Sequence, residues 1–378
     1  MDGIAGNRSA LSWVVNLSVV LLVVMWTIPT FGLLVSSLRD KDQLAVSGWW
    51  TALKSTERNL VERSANPDAQ TREGDIFVLH GNLFEGASGQ ITAFGWRSQE
   101  PTAFNPDTTA EMRDGQTMRV AANGDYRLTS PIAFSGTRGK RVFYTSLQAP
   151  KFTFANYREV LFSEGLGRSF INTLTVTIPA TIIPILIAAF AAYALAWMEF
   201  PGRALLLVTI VGLLVVPLQM SLIPLLRLYT DIGIGKSYVG IWLAHTGFGL
   251  PLAVFLLRNY IAGLPREIIE SAKIDGASDF DIFLKIVLPL SFPALASFAI
   301  FQFLWVWNDL LIATVFLGNN EEQLVMTGRL RELLGSRGGN WEILTASAFV
   351  TIIVPLIVFF SLQKYLVRGL LAGSVKGG

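Results

Sequence analysis

Cysteine is absent from the sequence, and histidine occurs only as His80 and His245. The chain can therefore form no disulfide and has no thiol nucleophile, and a metal centre built on Cys or clustered His is excluded, although a carboxylate-only site is not. Charged residues make up only 15% of the 378 residues, whereas soluble domains contain roughly 25%. The net charge of +2 gives no reason to expect a nucleic-acid partner.

Hydrophobic residues make up 52% of the chain and concentrate in windows without Asp, Glu, Lys or Arg. There are six such windows, at residues 9–38, 169–198, 204–226, 237–257, 286–308 and 343–363. Each exceeds the roughly 20 residues with which a helix crosses the hydrocarbon core, and a backbone in lipid must satisfy its own hydrogen bonds. We therefore predict six transmembrane helices, the first a retained anchor because it is longer than a signal-peptide core.

The short loops between these windows carry unequal positive charge. One side holds nine basic residues, namely Arg8, Arg203, Arg258, Arg266, Lys273, Lys285, Lys364, Arg368 and Lys376. The other side holds five, namely Arg227, Lys236, Arg329, Arg331 and Arg337. By the positive-inside rule the first side, which includes both termini, is predicted to be cytoplasmic.

The segment between the first two windows is long and carries β-strand patterns. Residues 75–83 and 140–147 are rich in β-branched and aromatic residues, and residues 117–129 form a hairpin pattern around Asn123-Gly124. Residues 51–71 are polar and uneven, which favours a loop or a short helix. We divide the chain into an N-terminal helix (1–38), a β-rich extracytoplasmic insert (39–150) and a helical core (151–378).

The loop at 258–285, between the fourth and fifth windows, contains a short helix pattern. Pro265 suits a first helical turn, and residues 266–273 are mostly good helix formers. The i, i+4, i+8 spacing of Leu264, Ile268 and Ala272 predicts a narrow apolar stripe.

Two signals then mark the end of this helix and the start of the next. Gly276 can end the first helix in a left-handed conformation, and Ser278 and Asp281 have the spacing of a capping box. The second helix continues into the fifth window, so the pair forms a lever across one face of the membrane. On the residues alone, a coupling element and a partnerless interfacial helix remain equally open.

The same loop resembles a known family motif. The run Glu270-Ser271-Ala272, Gly276 and Ile286-Val287-Leu288-Pro289 is similar to the EAA loop of binding-protein-dependent ABC importer permeases, with Ser271 replacing the usual Ala. The resemblance implies the type I importer permease fold. It also implies that a coupling helix is seated on a separate ATPase, through Glu270, Ser271, Ala272, Asp275, Gly276 and Ala277.

Further segments resemble the smaller permease of maltose-type carbohydrate importers. These segments are residues 152–157, 169–174, 307–310 and the tail 364–377. The resemblance implies a transport subunit without catalytic residues, cofactor or metal, in the cell inner membrane. Its expected partners are an ATPase dimer that binds ATP and Mg, a second permease, a periplasmic solute-binding protein, a carbohydrate and lipid. The long insert points to alpha-glucoside permeases of this type.

Polar groups within spans are costly there and are therefore candidates for the solute route. Gln219, Asn308, Asp309 and Trp307 are our candidates, and helix rise places Asp309 at the depth of Arg227 and His245. We expect one of these two basic residues close to Asp309. Separate packing or interfacial roles, including Trp305 and Trp307 as membrane anchors, are the competing interpretation.

The loop 318–342 contains a glycine-rich stretch that we expect to be flexible. The resemblance implies that Gly335, Arg337, Gly338 and Asn340 contact the binding protein, although a plain connector fits equally well. Gly235-Lys236-Ser237 looks like the end of a phosphate-binding loop, but Thr230 stands where the pattern requires Gly.

Two other classes compete with the importer. A membrane sensor with a ligand-binding insert would explain the insert and the lever, but not six spans with the matching tail. An intramembrane enzyme would need a nucleophile with a base, or a metal motif, and neither is evident.

Overall fold

The computed structural model describes residues 10–84 and 89–372, and for Ala10 and residues 366–372 it describes the backbone alone. The basic residues Arg8 and Lys376, and the end of the predicted tail at 373–378, lie outside the described residues. The chain divides into two compact units, Met1–Phe154 and Ala155–Gly378.

The first unit begins with a long apolar helix, α1 (Ala10–Ser37), and a short helix, α2 (Lys41–Val46). Eight strands follow: β1 (Thr56–Arg63), β2 (Thr71–Glu73), β3 (Ile76–Asn82), β4 (Gln90–Gly95), β5 (Thr109–Glu111), β6 (Thr117–Val120), β7 (Asp125–Ser130) and β8 (Arg141–Gln148). They form two antiparallel sheets, of order β1-β8-β4 and β2-β3-β7-β6-β5.

The predicted hairpin at 117–129 is confirmed. Val120 pairs with Tyr126, and Met118 pairs with Leu128, so all four apolar side chains lie on the buried face. Gly124 has φ +90° and closes a three-residue loop, a conformation that glycine adopts without strain. A short 3₁₀ turn at Pro67–Ala69 fits the loop or short helix predicted at 51–71, but the prediction is wrong for Thr56–Arg63, which form β1. Its sequence is weakly patterned, and pairing with β8 along its whole length makes it a strand.

The second unit is helical. Its helices are α3 (Ala155–Arg158), α4 (Leu166–Trp197), α5 (Arg203–Leu213), α6 (Leu218–Asp231), α7 (Tyr238–Ile261), α8 (Arg266–Ile274), α9 (Asp279–Ile282), α10 (Leu288–Leu290), α11 (Phe292–Trp307), α12 (Leu311–Phe316), α13 (Met326–Ser336) and α14 (Trp341–Ala372). Helix α4 packs along α7, and α11 packs against α14 and α4. Small buried residues such as Ala188, Ala192 and Gly249 allow this close approach.

Four of the six predicted spans are long single helices: α1, α4, α7 and α14. The third and fifth windows are not continuous helices, and in this respect the prediction is wrong. Helices α5 and α6 meet at 106°, and the segment Asp279–Leu290 meets α11 at 70°. Proline explains both breaks: Pro217 forces its predecessor out of the helical region, and Pro289 and Pro293 flank the bend at Ser291. Within the described residues there are four spans, or up to six if each bent pair counts as one.

Candidate functional site

The loop between α7 and α9 contains a helix, α8, with a well-defined start and end. Pro265 is extended (φ −57°, ψ 123°) and stands just before the helix rather than in its first turn. Gly276 has φ +78°, as predicted. The N–H of Gly276 donates to the carbonyl of Lys273 (3.0 Å) and that of Ala277 donates to Ala272 (3.0 Å), which together form a Schellman ending.

The apolar stripe predicted at Leu264, Ile268 and Ala272 is confirmed only in part, because Leu264 and Ala272 pack against the buried cluster of the helical unit and Ile268 does not. Ile269 is buried at 1% exposure, in a cluster with Ile261, Ile282 and Phe283, whereas Ile268 is 42% exposed. A helix packed on one neighbour buries the residue that points at that neighbour, and the spacing pattern does not identify the neighbour. Ile268 is therefore free to contact another protein.

The second helix of the loop is capped as predicted. Ser278 Oγ accepts from the N–H of Asp281 (3.1 Å), and its hydroxyl donates to the Asp281 carboxylate (2.5 Å). Tyr193 of α4 donates to Asp279 (3.1 Å), which fixes this helix against the helical core. A π-helical segment, Phe283–Val287, then leads to α10. The loop is thus joined rigidly to the elements that lead into α11.

The residues of the EAA-like motif are mostly exposed on this loop. Glu270 accepts from Arg266 one turn earlier (2.7 Å), and Ser271 and Asp275 are exposed. Ala272 and Ala277 are half-buried against the cluster around Ile269. Beside the helix, a cavity of about 660 Å³ is lined by charged residues that include Glu199, Arg203, Arg266, Glu270, Lys273 and Asp279.

At the opposite ends of α4 and α11, side chains of α4 hold the segment before α13. Asn172 donates to the carbonyls of Glu322 (2.9 Å) and Leu324 (3.0 Å), and Thr173 Oγ accepts from the N–H of Met326 (2.8 Å). Sequence reasoning identified 169–174 only by resemblance. The structure gives the motif a physical role, which is to fix the backbone of a distant segment.

Gln302 links three helices and was missed by sequence reasoning. Its amide is buried on α11 and donates to the carbonyl of Ala180 on α4 (3.0 Å) and, more weakly, to that of His245 on α7 (3.5 Å). A Cβ on Gly249 would come within 2.6 Å of Gln302 Oε1, so glycine is needed there. A lone amide in an apolar window was the available signal.

Of the two basic residues expected near Asp309, the structure brings His245 close. His245 is fully buried, its Nε2 lies 3.9 Å from Asp309 Oδ2, and its ring stands edge-on to Trp305 at 5.1 Å. Arg227 is exposed, and among residues 10–84 and 89–372 no ion pair joins it to Asp309.

Asp309 also has a structural role. Its carboxylate accepts from the N–H of Ala313 (2.9 Å) in the first turn of α12. Its own carbonyl accepts from Thr327 Oγ (2.7 Å). This geometry is that of a helix cap, so the competing packing role is clearly present.

The four residues proposed for the solute route do not form one site. Trp307 is 1% exposed, donates to the carbonyl of Thr351 (2.9 Å) and stacks on Phe303. The proposal that Trp307 lines a route is therefore wrong, and so is the membrane-anchor interpretation, because the indole fills the core. Gln219 and Asn308 are exposed.

Trp305, by contrast, borders a cavity. This space of about 730 Å³ lies between the bent α5–α6 pair and α7, and apolar side chains such as Leu218, Leu225 and Phe248 dominate its lining. The sharp bend between α5 and α6 opens this space, so it could not be located from the sequence.

The stretch 335–340, predicted to be flexible, lies partly in a helix and carries an ion pair and a backbone hydrogen bond. Gly335 lies in the last turn of α13, and only 337–340 connect α13 to α14. Arg337 pairs with Glu164 (2.8 Å), and the N–H of Asn340 donates to the carbonyl of Arg337 (2.8 Å). The connecting segment is therefore shorter than predicted, and four residues span at most about 14 Å even when extended.

The rejected phosphate-loop pattern has an ordinary structural role. Ser237 caps α7 by accepting from the N–H of Gly240 (3.1 Å). Within the described ranges, no group of three or more His, Asp or Glu side chains is arranged to hold a metal ion.

Comparisons with known proteins match the helical unit, including the loop that contains α8, to one protein family. Residues 164–371 match the family described as binding-protein-dependent transport system inner membrane component. The chain is 67% identical over 377 residues to the alpha-glucoside transport system permease protein AglG of Rhizobium meliloti, covering 98% of this chain and 99% of that protein. It is 58% identical to the osmoprotective compounds uptake permease protein GgtD of Synechocystis, covering 62% of this chain and 79% of that protein.

Among solved structures, a bacterial ABC transporter involved in the import of the acidic polysaccharide alginate matches at 25% identity and a TM-score of 0.49, over 58% of this chain and 81% of that one. The family match extends from Glu164, just before α4, through the loop that contains α8, to the last turn of α14. The chain therefore belongs to the binding-protein-dependent transport system inner membrane components and is a non-enzymatic permease subunit of an ABC importer.

Proposed function

We propose that this chain is a permease subunit of an ATP-driven carbohydrate importer whose substrates are alpha-glucosides. The observation that carries the proposal is the 67% identity to an alpha-glucoside permease over 98% of this chain and 99% of that protein, because it includes the long insert. The match to the osmoprotectant permease covers 62% of this chain and leaves more than a third unmatched. The alpha-glucoside assignment is therefore favoured.

The segment from α8 to α10 is proposed to dock on the ATPase. Ile268, Ile274, Phe280 and Leu284 are between 42% and 84% exposed there. Burying each such side chain in a partner is worth roughly 1.5–3 kcal/mol. Because they project from a loop pinned by Ser278 and Asp279, movement of the ATPase would be transmitted to the membrane helices without loss.

Glu270 is proposed to pair with a basic residue of the ATPase. In this chain it is paired with Arg266, and both side chains are more than half exposed. An exposed i, i+4 pair is worth only about 0.3–0.5 kcal/mol. A basic side chain of the ATPase can therefore replace Arg266 as the ion-pair partner of Glu270 at little cost in free energy.

The remaining partners follow from the same assignment. Each bent helix pair is proposed to cross the membrane once, which gives six spans and places both termini in the cytoplasm. The complex is proposed to lie in the inner membrane of the cell. A second permease would complete the solute route, ATP and Mg would be bound by the ATPase dimer, and a periplasmic binding protein would deliver the sugar. No cofactor is assigned to this chain.

For the route itself we retain Gln219, Asn308 and Asp309, and we replace Trp307 with Trp305. The Trp305 indole borders a cavity, and aromatic faces suit the apolar faces of sugar rings. On the same side, Arg337, Gly338 and Asn340 are proposed to contact the binding protein as a short, supported turn beside Glu164, together with Gly335 at the end of α13.

Reconstitution tests the assignment. The chain is co-expressed with an ATPase, a second permease and a binding protein of this importer type from the same genome, and the complex is placed in proteoliposomes. We expect ATP-dependent uptake of labelled alpha-glucosides such as maltose or sucrose, and no uptake of a beta-linked disaccharide such as cellobiose. Uptake of an osmoprotectant that contains no sugar, such as glycine betaine, without alpha-glucoside uptake would assign the chain to osmoprotectants. A complex that contains no ATPase would overturn the importer proposal.

A further inference from the structure

The segment after α1 folds back along that helix. We call residues 41–54, which comprise α2 and the turn Trp49–Thr51, the hook. The Trp49 ring lies edge-on to Phe31 at 6.0 Å, and a Cβ on Gly32 would come within 2.7 Å of Trp49 Nε1. Phe31 and Gly32 lie roughly 8 Å before the end of α1 at Ser37. The hook therefore returns to a depth within the predicted span.

Buried hydrogen bonds fix the shape of the hook. Arg39 is 1% exposed, and its guanidinium donates to the carbonyls of Ser47 (2.8 Å), Gly48 (3.0 Å) and Gln43 (3.1 Å). The Gln43 amide donates to the carbonyl of Ala149 (2.7 Å), on the chain that returns from the insert. The backbone of the hook is thus wrapped around one buried cation, a geometry that a mobile linker would not keep.

The hook presents large apolar side chains outward. Val46 is 52% exposed, Trp50 73% and Leu53 84%. Lys41 and Lys54 stand at its two ends, and Asp42 pairs with Arg58 of β1 (2.6 Å). Exposed apolar residues in a row are costly in water, whereas tryptophan flanked by lysine is typical of the boundary between lipid tails and head groups.

We propose that the hook is an interfacial anchor, in which Trp50 and Leu53 insert among the lipids of the leaflet on the insert's side of the membrane. Lipid is the favoured occupant because the hook packs against a membrane span below the end of that span. Its apolar surface therefore continues the surface that α1 presents to the bilayer. Through Asp42 and Arg58 the anchor would hold the β-sheets at a fixed height above the membrane.

The absence of cysteine makes a direct test available. Leu53→Cys and Trp50→Cys are made in the full-length chain, labelled with a nitroxide, and reconstituted with the transporter complex in vesicles of phosphatidylethanolamine and phosphatidylglycerol. Ile132→Cys is the matched control, because Ile132 is an apolar residue of the insert that is 69% exposed and lies outside the hook. Collision rates with oxygen, which partitions into lipid, and with a water-soluble nickel chelate are measured by electron paramagnetic resonance.

We expect the ratio of oxygen to nickel accessibility to be several-fold higher at positions 53 and 50 than at 132. A ratio at position 53 equal to that at 132 would place the hook in water and overturn the proposal. A label at 53 shielded from both reagents would show that protein covers the hook, which would also overturn it. Leu53 is exposed enough that its substitution leaves the fold intact, so position 53 decides if the Trp50 variant is lost.

Discussion

Replacing Gly276 tests whether the backbone turn that ends α8 controls coupling. This residue has φ +78°, and a Cβ built on it meets nothing within 4 Å. Within this chain, Gly276→Ala therefore acts through the backbone conformation and not through a clash. A residue other than glycine pays roughly 1–2 kcal/mol to remain left-handed.

That strain can be relieved by unwinding the Schellman ending, in which Gly276 and Ala277 donate to Lys273 and Ala272. If docking on the ATPase requires the native turn, only the fraction of loops that retains it can bind. One to two kcal/mol corresponds to a factor of roughly 5–30 in that fraction, which sets the upper limit of the rise in apparent Kd for the ATPase. Asparagine tolerates positive φ better than alanine, so Gly276→Asn should lie between the wild type and Gly276→Ala.

The assay is binding of the purified ATPase to the permease complex in nanodiscs, with ATP hydrolysis stimulated by the loaded binding protein as a second readout. Gly212→Ala is the matched control, because Gly212 lies in helix α5 and its added Cβ also meets nothing within 4 Å. We expect unchanged affinity for the control and the order Gly, Asn, Ala at position 276. Wild-type affinity in Gly276→Ala, or equal losses with Asn and Ala, would refute the reasoning.

Three further substitutions test other parts of the chain. Asp309→Leu removes the α12 cap and should lower the free energy of unfolding by about 0.5–2 kcal/mol in thermal unfolding, whereas Asp309→Asn should retain most of the stability. A stable Leu variant with an altered transport KM would instead favour a solute-route role. Trp307→Ala should cost about 3–5 kcal/mol by the same measurement, and a small loss would contradict its core role. Hydrogen bonds from Asn82 and Asn123 lower the pKa of Asp125. The Asp125 carboxylate therefore stabilises the β6–β7 hairpin fully above its pKa in the unfolded chain, about 3.9. This stabilisation is lost as pH falls through the lower pKa of the folded chain. In Asp125→Asn, the protection of the hairpin amides from hydrogen exchange should no longer fall at acid pH. The same fall in the variant as in the wild type would argue against this role of Asp125.

The loop around α8 shows which structural features the local sequence determines. Gly276 and Ser278 act where their own chemistry requires, because a left-handed turn and a side-chain cap involve only a few neighbouring residues. The spacing placed Ile268 in the apolar stripe of α8 and missed the buried Ile269, since the two residues are chemically equal and only the positions of α7 and α9 distinguish them. A neighbour in space is not encoded in the spacing of one helix.

The polar candidates show the same division. Their depth followed from helix rise, and His245 indeed lies beside Asp309. Whether a side chain at that depth faces a cavity or the core depends on how helices pack, which is why Trp305 borders a cavity and Trp307 does not. Gln302 was overlooked because its partners, the carbonyls of Ala180 and His245, lie on two other helices.

The sequence by itself determined that this chain crosses a membrane, where its EAA-like loop lies and which part folds as β-structure, because charge-free length, turn chemistry and strand patterning act over short distances. Only the tertiary structure decided that two of the predicted spans are sharply bent and that a polar, unpatterned segment becomes strand β1. It also placed the hook after α1 back against its own span. In each case the deciding energy comes from contacts between segments far apart in the chain, and no local pattern contains them.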